Sequence, residues 1–161
     1  MEDQGKKKKV LTQLQAKLKI ESYCAYQERA QQEVRDKLYE WGMHEEEVEN
    51  IIADLIADNF LNEERFAKAF VRGKFNLKGW GMVKIKQHLK AKRISDPLIK
   101  IAMREIDLDE YESKLEELIH KKCSSAPNKL SLPEKAKLVR YLQSKGYESN
   151  LIFSKIGHSS N

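Results

Sequence analysis

Cysteine, proline and glycine are all scarce: two, three and seven in 161 residues. Cys24 and Cys123 have no CxxC neighbours, so neither a disulfide framework nor a thiolate metal site is expected. They read as ordinary thiols in a reducing compartment, with a single Cys24–Cys123 pair left geometrically open. So little proline and glycine also argues against a linker or a fibre. No apolar run approaches the roughly 20 residues that cross a bilayer, so no membrane partner is expected. At the N-terminus Lys6–Lys9 lead into Val10 and Leu11 rather than into the apolar core of a signal peptide. A soluble, cytoplasmic protein is expected.

Catalytic constellations are missing as well. His44, His88, His120 and His158 stand singly, without HxxxH or Cys/His spacing, and read as surface or helix-end residues. Gly73, Gly79 and Gly81 lack the GxxxxGK[ST] pattern of a phosphate loop. Glu45, Glu46 and Glu47 are consecutive, so they fan around a helix instead of converging. Neither an enzyme nor a cofactor is expected.

Charge is present in abundance and is sharply segregated. Arg65 to Arg104 holds twelve Lys or Arg against one acid, Asp96. Glu28 to Glu64 holds twelve acids against Arg29, Arg35 and Lys37. Local balances of +11 and −9 sit inside a net charge of +5. One region suits a polyanion and the other repels it.

Apolar residues recur three, four or seven apart: Leu11, Leu14, Leu18; Val34, Leu38, Trp41; Val48, Ile51, Ile52, Leu55; Phe66, Phe70, Leu77. No sustained alternation occurs, so an all-α fold is expected. Asn62 before Glu63 and Glu64, and Ser95-Asp96-Pro97, mark helix starts. Asp109 with Glu112 and Ser131 with Glu134 have capping-box spacing. The longest break is Ser124–Leu130.

The chain also resembles itself. Glu33–Met43, Lys84–Ile94 and Lys137–Tyr147 align without gaps, placing Val34, Ile85 and Leu138 at one apolar position and Leu38, Leu89 and Leu142 one turn later. Met43, Ile94 and Tyr147 follow the helix end. Gly42 and Gly146 suit a left-handed turn there; Arg93 replaces glycine in the middle copy, so a different ending is expected. With leading helices near Val10–Gln27, Asn62–Leu77 and Asp109–Cys123, and trailing ones near Glu45–Asn59, Asp96–Glu105 and Ser149–Ile156, three tandem three-helix repeats result. They span 10–59, 60–107 (basic) and 108–157, between a basic disordered tail at 1–9 and a C-terminal tail at 158–161. Units this small should stack into an elongated, curved body.

Within the basic repeat, Arg65, Lys68 and Arg72 share a stripe beside the sector of Phe66, Ala69, Phe70, Gly73 and Leu77. The Phe pair reads as core. Lys74 and Lys78 continue the positive surface, Trp80 sits between Gly79 and Gly81, and Lys84, Lys86, Lys90 and Lys92 flank the next apolar seam. A solvated face is the ordinary reading of a charge run, but almost no acids are nearby to neutralise this one. Such side chains can track a phosphate backbone without reading bases.

The segments AYQERAQQEVRDKLYEWG, FLNEERFAKAFVRGKFNLKGWG and IKQHLKAKRIS resemble the bacterial RecX regulatory family, from about Leu14 to Ile156. The resemblance implies three tandem three-helix repeats and a non-enzymatic regulator that binds the RecA–DNA filament and inhibits RecA's recombinase and ATPase activities. It implies RecA and single-stranded DNA as partners, with double-stranded DNA a further candidate, and places contacts at Arg65, Arg72 and Lys74, then Lys84 and Lys86. Together with Lys68, Lys78, Trp80 and Lys90 these form the candidate surface; a monomer is expected. Departures are Met82, where many members carry another basic residue, Arg93, and the longer connection around Pro127. The competing readings are a stand-alone nucleic-acid-binding module and a helical scaffold whose charge serves only solvation.

Overall fold

The computed structural model describes residues 11–123 and 125–157. The Lys6–Lys9 run, Val10, Ser124, His158 and the two expected tails lie outside them. Among the described residues there are nine α-helices and no strand. They are α1 Gln13–Tyr26, α2 Gln31–Glu40, α3 Glu45–Ala57, α4 Glu63–Asn76, α5 Met82–Ala91, α6 Asp96–Met103, α7 Leu108–Lys122, α8 Leu132–Lys145 and α9 Ser149–Ile156. A 3-10 turn at Pro127–Lys129 occupies the long break.

Several helix starts follow side-chain chemistry, although Ser95, before α6, makes no side-chain cap bond. Asn62 Oδ1 accepts from Arg65 N–H at 2.9 Å, and Ser131 and Glu134 close a reciprocal capping box. The box expected at Asp109 and Glu112 is displaced: Asp107 is the cap, its carboxylate accepting from Glu110 N–H at 3.0 Å. The cap sits two residues early, directly after buried Ile106.

Three helix ends share one hydrogen-bonded device. Gly42 N–H bonds to Tyr39 C=O and Met43 N–H to Leu38 C=O; Gly146 and Tyr147 repeat this with Gln143 and Leu142, and Asn59 and Phe60 with Ile56 and Leu55. This pairing, 5→2 beside 6→1, needs a left-handed residue, and φ is 84° at Gly42, 102° at Gly146 and 61° at Asn59. Arg93 takes φ 60° as well. The middle copy therefore turns like the others, against expectation. The residue after the turn (Met43, Ile94 or Tyr147) is buried in each copy, and that anchor holds the conformation where no glycine relieves it.

By contact density the chain forms two units. Among the described residues, one takes in those up to Ala67 with Lys92–Ile94, the other Lys68–Ala91 and those from Ser95 on. In the first, Ala16, Ile20 and Cys24 of α1 pack against Val34, Leu38, Val48, Ile51, Ile52 and Leu55. The Leu14 and Leu18 seam expected of α1 instead faces solvent, 67% and 58% exposed. Residues 16, 20 and 24 form the inward row, and the small Ala16 lets α1 lie close to α2 and α3.

In the second unit, Val71 and Phe75 join Ile85, Leu89, Ile99, Ala102, Tyr111, Leu115, Ile119, Leu138, Leu142, Tyr147 and Ile152 in the interior. The inward face of α4 is thus rotated from the expected sector. Phe66, Ala67, Val71 and Phe75 are buried, Phe70 is half-buried, and Leu77, just past the helix end, is 84% exposed. Phe75, Tyr111 and Tyr147 run as an aromatic chain, with ring centroids 5.9 and 5.1 Å apart. Each fully buried Leu or Ile contributes about 1.5–3 kcal/mol relative to exposure.

Candidate functional site

The expected stripe of α4 and α5 divides according to which cations find a carboxylate. Arg65 is used internally, which corrects its placement on an open stripe. Its Nε pairs with Glu28 Oε1 at 2.5 Å; Nη1 and Nη2 donate to Asn59 Oδ1, Asn59 C=O and Phe60 C=O. Those carbonyls follow the end of α3, where unsatisfied acceptors attract a guanidinium. Lys92 pairs with Glu33 at 2.5 Å. Arg72 Nη1 lies 3.3 Å from Glu105 Oε2, and Lys90 lies a loose 3.9 Å from Asp96. The last two pairs are largely exposed, so they are worth at most about 1 kcal/mol and open readily.

Lys68, Lys74, Lys78, Lys84 and Lys86 have no carboxylate partner among the described residues. Trp80 organises two of them. Lys74 Nζ stands 4.8 Å and Lys84 Nζ 4.3 Å from its ring centroid, His88 stacks obliquely at 4.5 Å, and the Phe70 ring meets it edge-on at 6.4 Å. Cation–π attraction orders an ammonium without cancelling its charge. Trp80 therefore has a packing role, while the cations around it stay available.

The Gly79–Gly81 segment is strapped onto the end of α8. Gly81 N–H donates to Lys145 C=O at 2.8 Å and Val83 N–H to Gly146 C=O at 2.9 Å. Tyr147 Oη donates to Gly79 C=O at 3.0 Å. Tyr111 Oη accepts from Met82 N–H at 3.0 Å and donates to Glu148 Oε2 at 2.7 Å. Burial pushes both phenols well above the ordinary tyrosine range, so they remain protonated donors. A Cβ on Gly81 would strike the Gly146 carbonyl, and one on Gly146 would strike Lys84 Cβ. Of the glycines that resemble a phosphate loop in sequence, Gly81 serves this close approach and Gly79 a left-handed turn at φ 67°, whereas Gly73 has open space around it.

The strap also brings in a cation that sequence reasoning missed. Lys145, at the end of α8, donates from Nζ to Lys78 C=O at 2.8 Å. Partial burial lowers its pKa, and the charges of Lys84 and Lys78 lower it further. The repeat alignment marks Lys145 only as a helix-end residue; nothing in it indicates that this end meets Gly79–Gly81. Among the described residues no three His, Cys, Asp or Glu side chains are placed to hold a metal, and no helix is long and apolar enough to cross a membrane.

Three family models match in tandem: the RecX first three-helix domain over 16–55, the second over 62–103 and the third over 109–156. This chain belongs to the RecX family. It is 28% identical over 130 residues to the regulatory protein RecX of Oceanobacillus iheyensis, covering 81% of this chain and 48% of that protein. It is 31% identical over 141 residues to that of Streptococcus uberis, covering 86% and 53%. The chain thus spans about half the length of the curated relatives it matches. The crystal structure of RecX from Lactobacillus salivarius superposes with a TM-score of 0.77 at 26% identity, covering 89% of this chain and 94% of that one.

Proposed function

We propose that this chain regulates RecA by docking on the RecA–DNA filament, with Lys68, Lys74, Lys78, Lys84 and Lys86 as its principal contacts. It adds no chemistry of its own; it occupies the filament and thereby lowers RecA's ATP hydrolysis and strand exchange. The observation that carries the reading is a set of lysines on α4, α5 and their connection without carboxylate partners among the described residues, two of them over the Trp80 ring, in a member of the RecX family. Lysines are point charges on long stems, suited to phosphate oxygens whatever the base sequence. Arg72 and Lys90 join once their weak surface pairs open. Arg65 is excluded from contact, because freeing it would strand Glu28 and the carbonyls at the end of α3.

Co-sedimentation with preformed RecA filaments on single-stranded DNA tests this. Lys74→Glu with Lys84→Glu should abolish co-sedimentation while leaving the helical circular dichroism intact. Five phosphate contacts give a log–log salt slope of about −3.5 for single-stranded DNA. Binding to bare DNA equal to that on the filament would favour a stand-alone nucleic-acid-binding module. No binding to either would leave the charge to solvation.

A further inference from the structure

The third repeat carries a cation into the basic surface of the second, and the contact that puts it there is built from backbone. Gly81 and Gly146 meet with no room for a side chain on either, and two N–H groups of the strap bond to the carbonyls of Lys145 and Gly146. Lys84 begins against Gly146, Lys78 offers its carbonyl to Lys145 Nζ, and the ammonium groups of Lys78 and Lys84 are close enough to act on Lys145. We propose that Lys78, Lys84 and Lys145 form one composite seat for a backbone phosphate of a nucleic acid, straddling the junction of the second and third repeats.

Like charges gathered at one junction cost folding energy unless an anion offsets them. Acids elsewhere on this chain do pair with their neighbours: Glu112 and Glu116 both reach Lys155, and Glu117 reaches Lys114 and Lys121. Here none does. Glu148, the acid nearest in sequence to Lys145, is engaged by Tyr111 Oη. The set is all lysine, compact point charges on long stems that can each meet a phosphate oxygen without the fixed geometry of a bidentate fork. The depressed pKa of Lys145 points the same way, because a bound phosphate would relieve both its desolvation and its repulsion.

The seat rests on the reading that this surface meets nucleic acid, and it can fail separately. The test is fluorescence anisotropy of a labelled oligo(dT) with the full chain, without RecA, across a salt series. Lys145→Gln removes the charge while leaving an N–H donor, one bond shorter, beside the Lys78 carbonyl. It should weaken binding about three- to tenfold and make the salt slope shallower by about 0.7, one phosphate contact on a single strand. Lys129→Gln, outside the seat, should change neither. Unchanged affinity and slope in Lys145→Gln, with Lys84→Glu still impaired, would overturn the seat and leave the wider reading standing. No salt-dependent binding by the wild-type chain would remove both and favour an acidic protein partner. Displacement of oligo(dT) by inorganic phosphate at equal phosphate concentration would also overturn the proposal, assigning the seat to a free anion.

Discussion

Leu77 and Phe75 stand two positions apart on either side of the end of α4, and their fates are opposite. Phe75→Ala should cost about 3–5 kcal/mol in chemical denaturation, because a buried ring leaves a cavity. Leu77→Ala should stay within about 0.5 kcal/mol. Apolar spacing alone favours Phe70 and Leu77 as the inward pair, since a helical wheel shows that a stripe exists but not how far the helix rolls. Arg93 teaches a related lesson. Its left-handed backbone costs about 1–2 kcal/mol in a residue with a Cβ, and glycine recovers part of this while adding freedom to the unfolded chain. Arg93→Gly should therefore raise stability by about 0.5–1 kcal/mol, read from the denaturation midpoint. Both cysteines are free thiols. Burial pushes Cys24 up to about 11, whereas Cys123 is only partly covered. At pH 8, iodoacetamide should label Cys123 well before Cys24, as peptide mass mapping would show; the reverse order would contradict the placement of α1.

At the scale of elements, what was legible and what was hidden follow from the range of the forces. The capping box at Ser131, the asparagine cap at Asn62 and the glycine turns at Gly42 and Gly146 each depend on residues a few positions apart, and sequence spacing is enough to locate them. The strap depends on Gly81 meeting Gly146 and on Tyr111 reaching Met82, contacts 65 and 29 positions apart in the chain. No local pattern announces these. For that reason no spacing reveals Lys145, and none reveals that Arg65 turns inward, since its carboxylate partner lies 37 residues away. The strap gives its own test. Gly81→Ala forces a methyl group into the Gly146 carbonyl and should destabilise the second unit by about 1–3 kcal/mol. Tyr111→Phe leaves the Met82 N–H and the Glu148 carboxylate without their partner, a loss of about 1–3 kcal/mol. Since both variants weaken one contact, their effects should add to less than the sum. Full additivity in a double-mutant cycle would show the two sites to be independent.

For the molecule as a whole, tandem repeats make a scaffold and charge gives it a polarity. The acidic stretch spends part of its charge inside the first unit, on Arg35, Arg65 and Lys92. The basic surface of the second unit keeps most of its own. That asymmetry is what membership of the RecX family turns into a working hypothesis about RecA. The most direct test is ATP hydrolysis by preformed RecA filaments on single-stranded DNA, titrated with the wild-type chain and with the Lys74→Glu, Lys84→Glu double variant. The account predicts inhibition by the wild type below one molecule per RecA protomer and a loss of that inhibition of at least tenfold in the folded variant. Equal inhibition by both proteins, or none by the wild type, would contradict it.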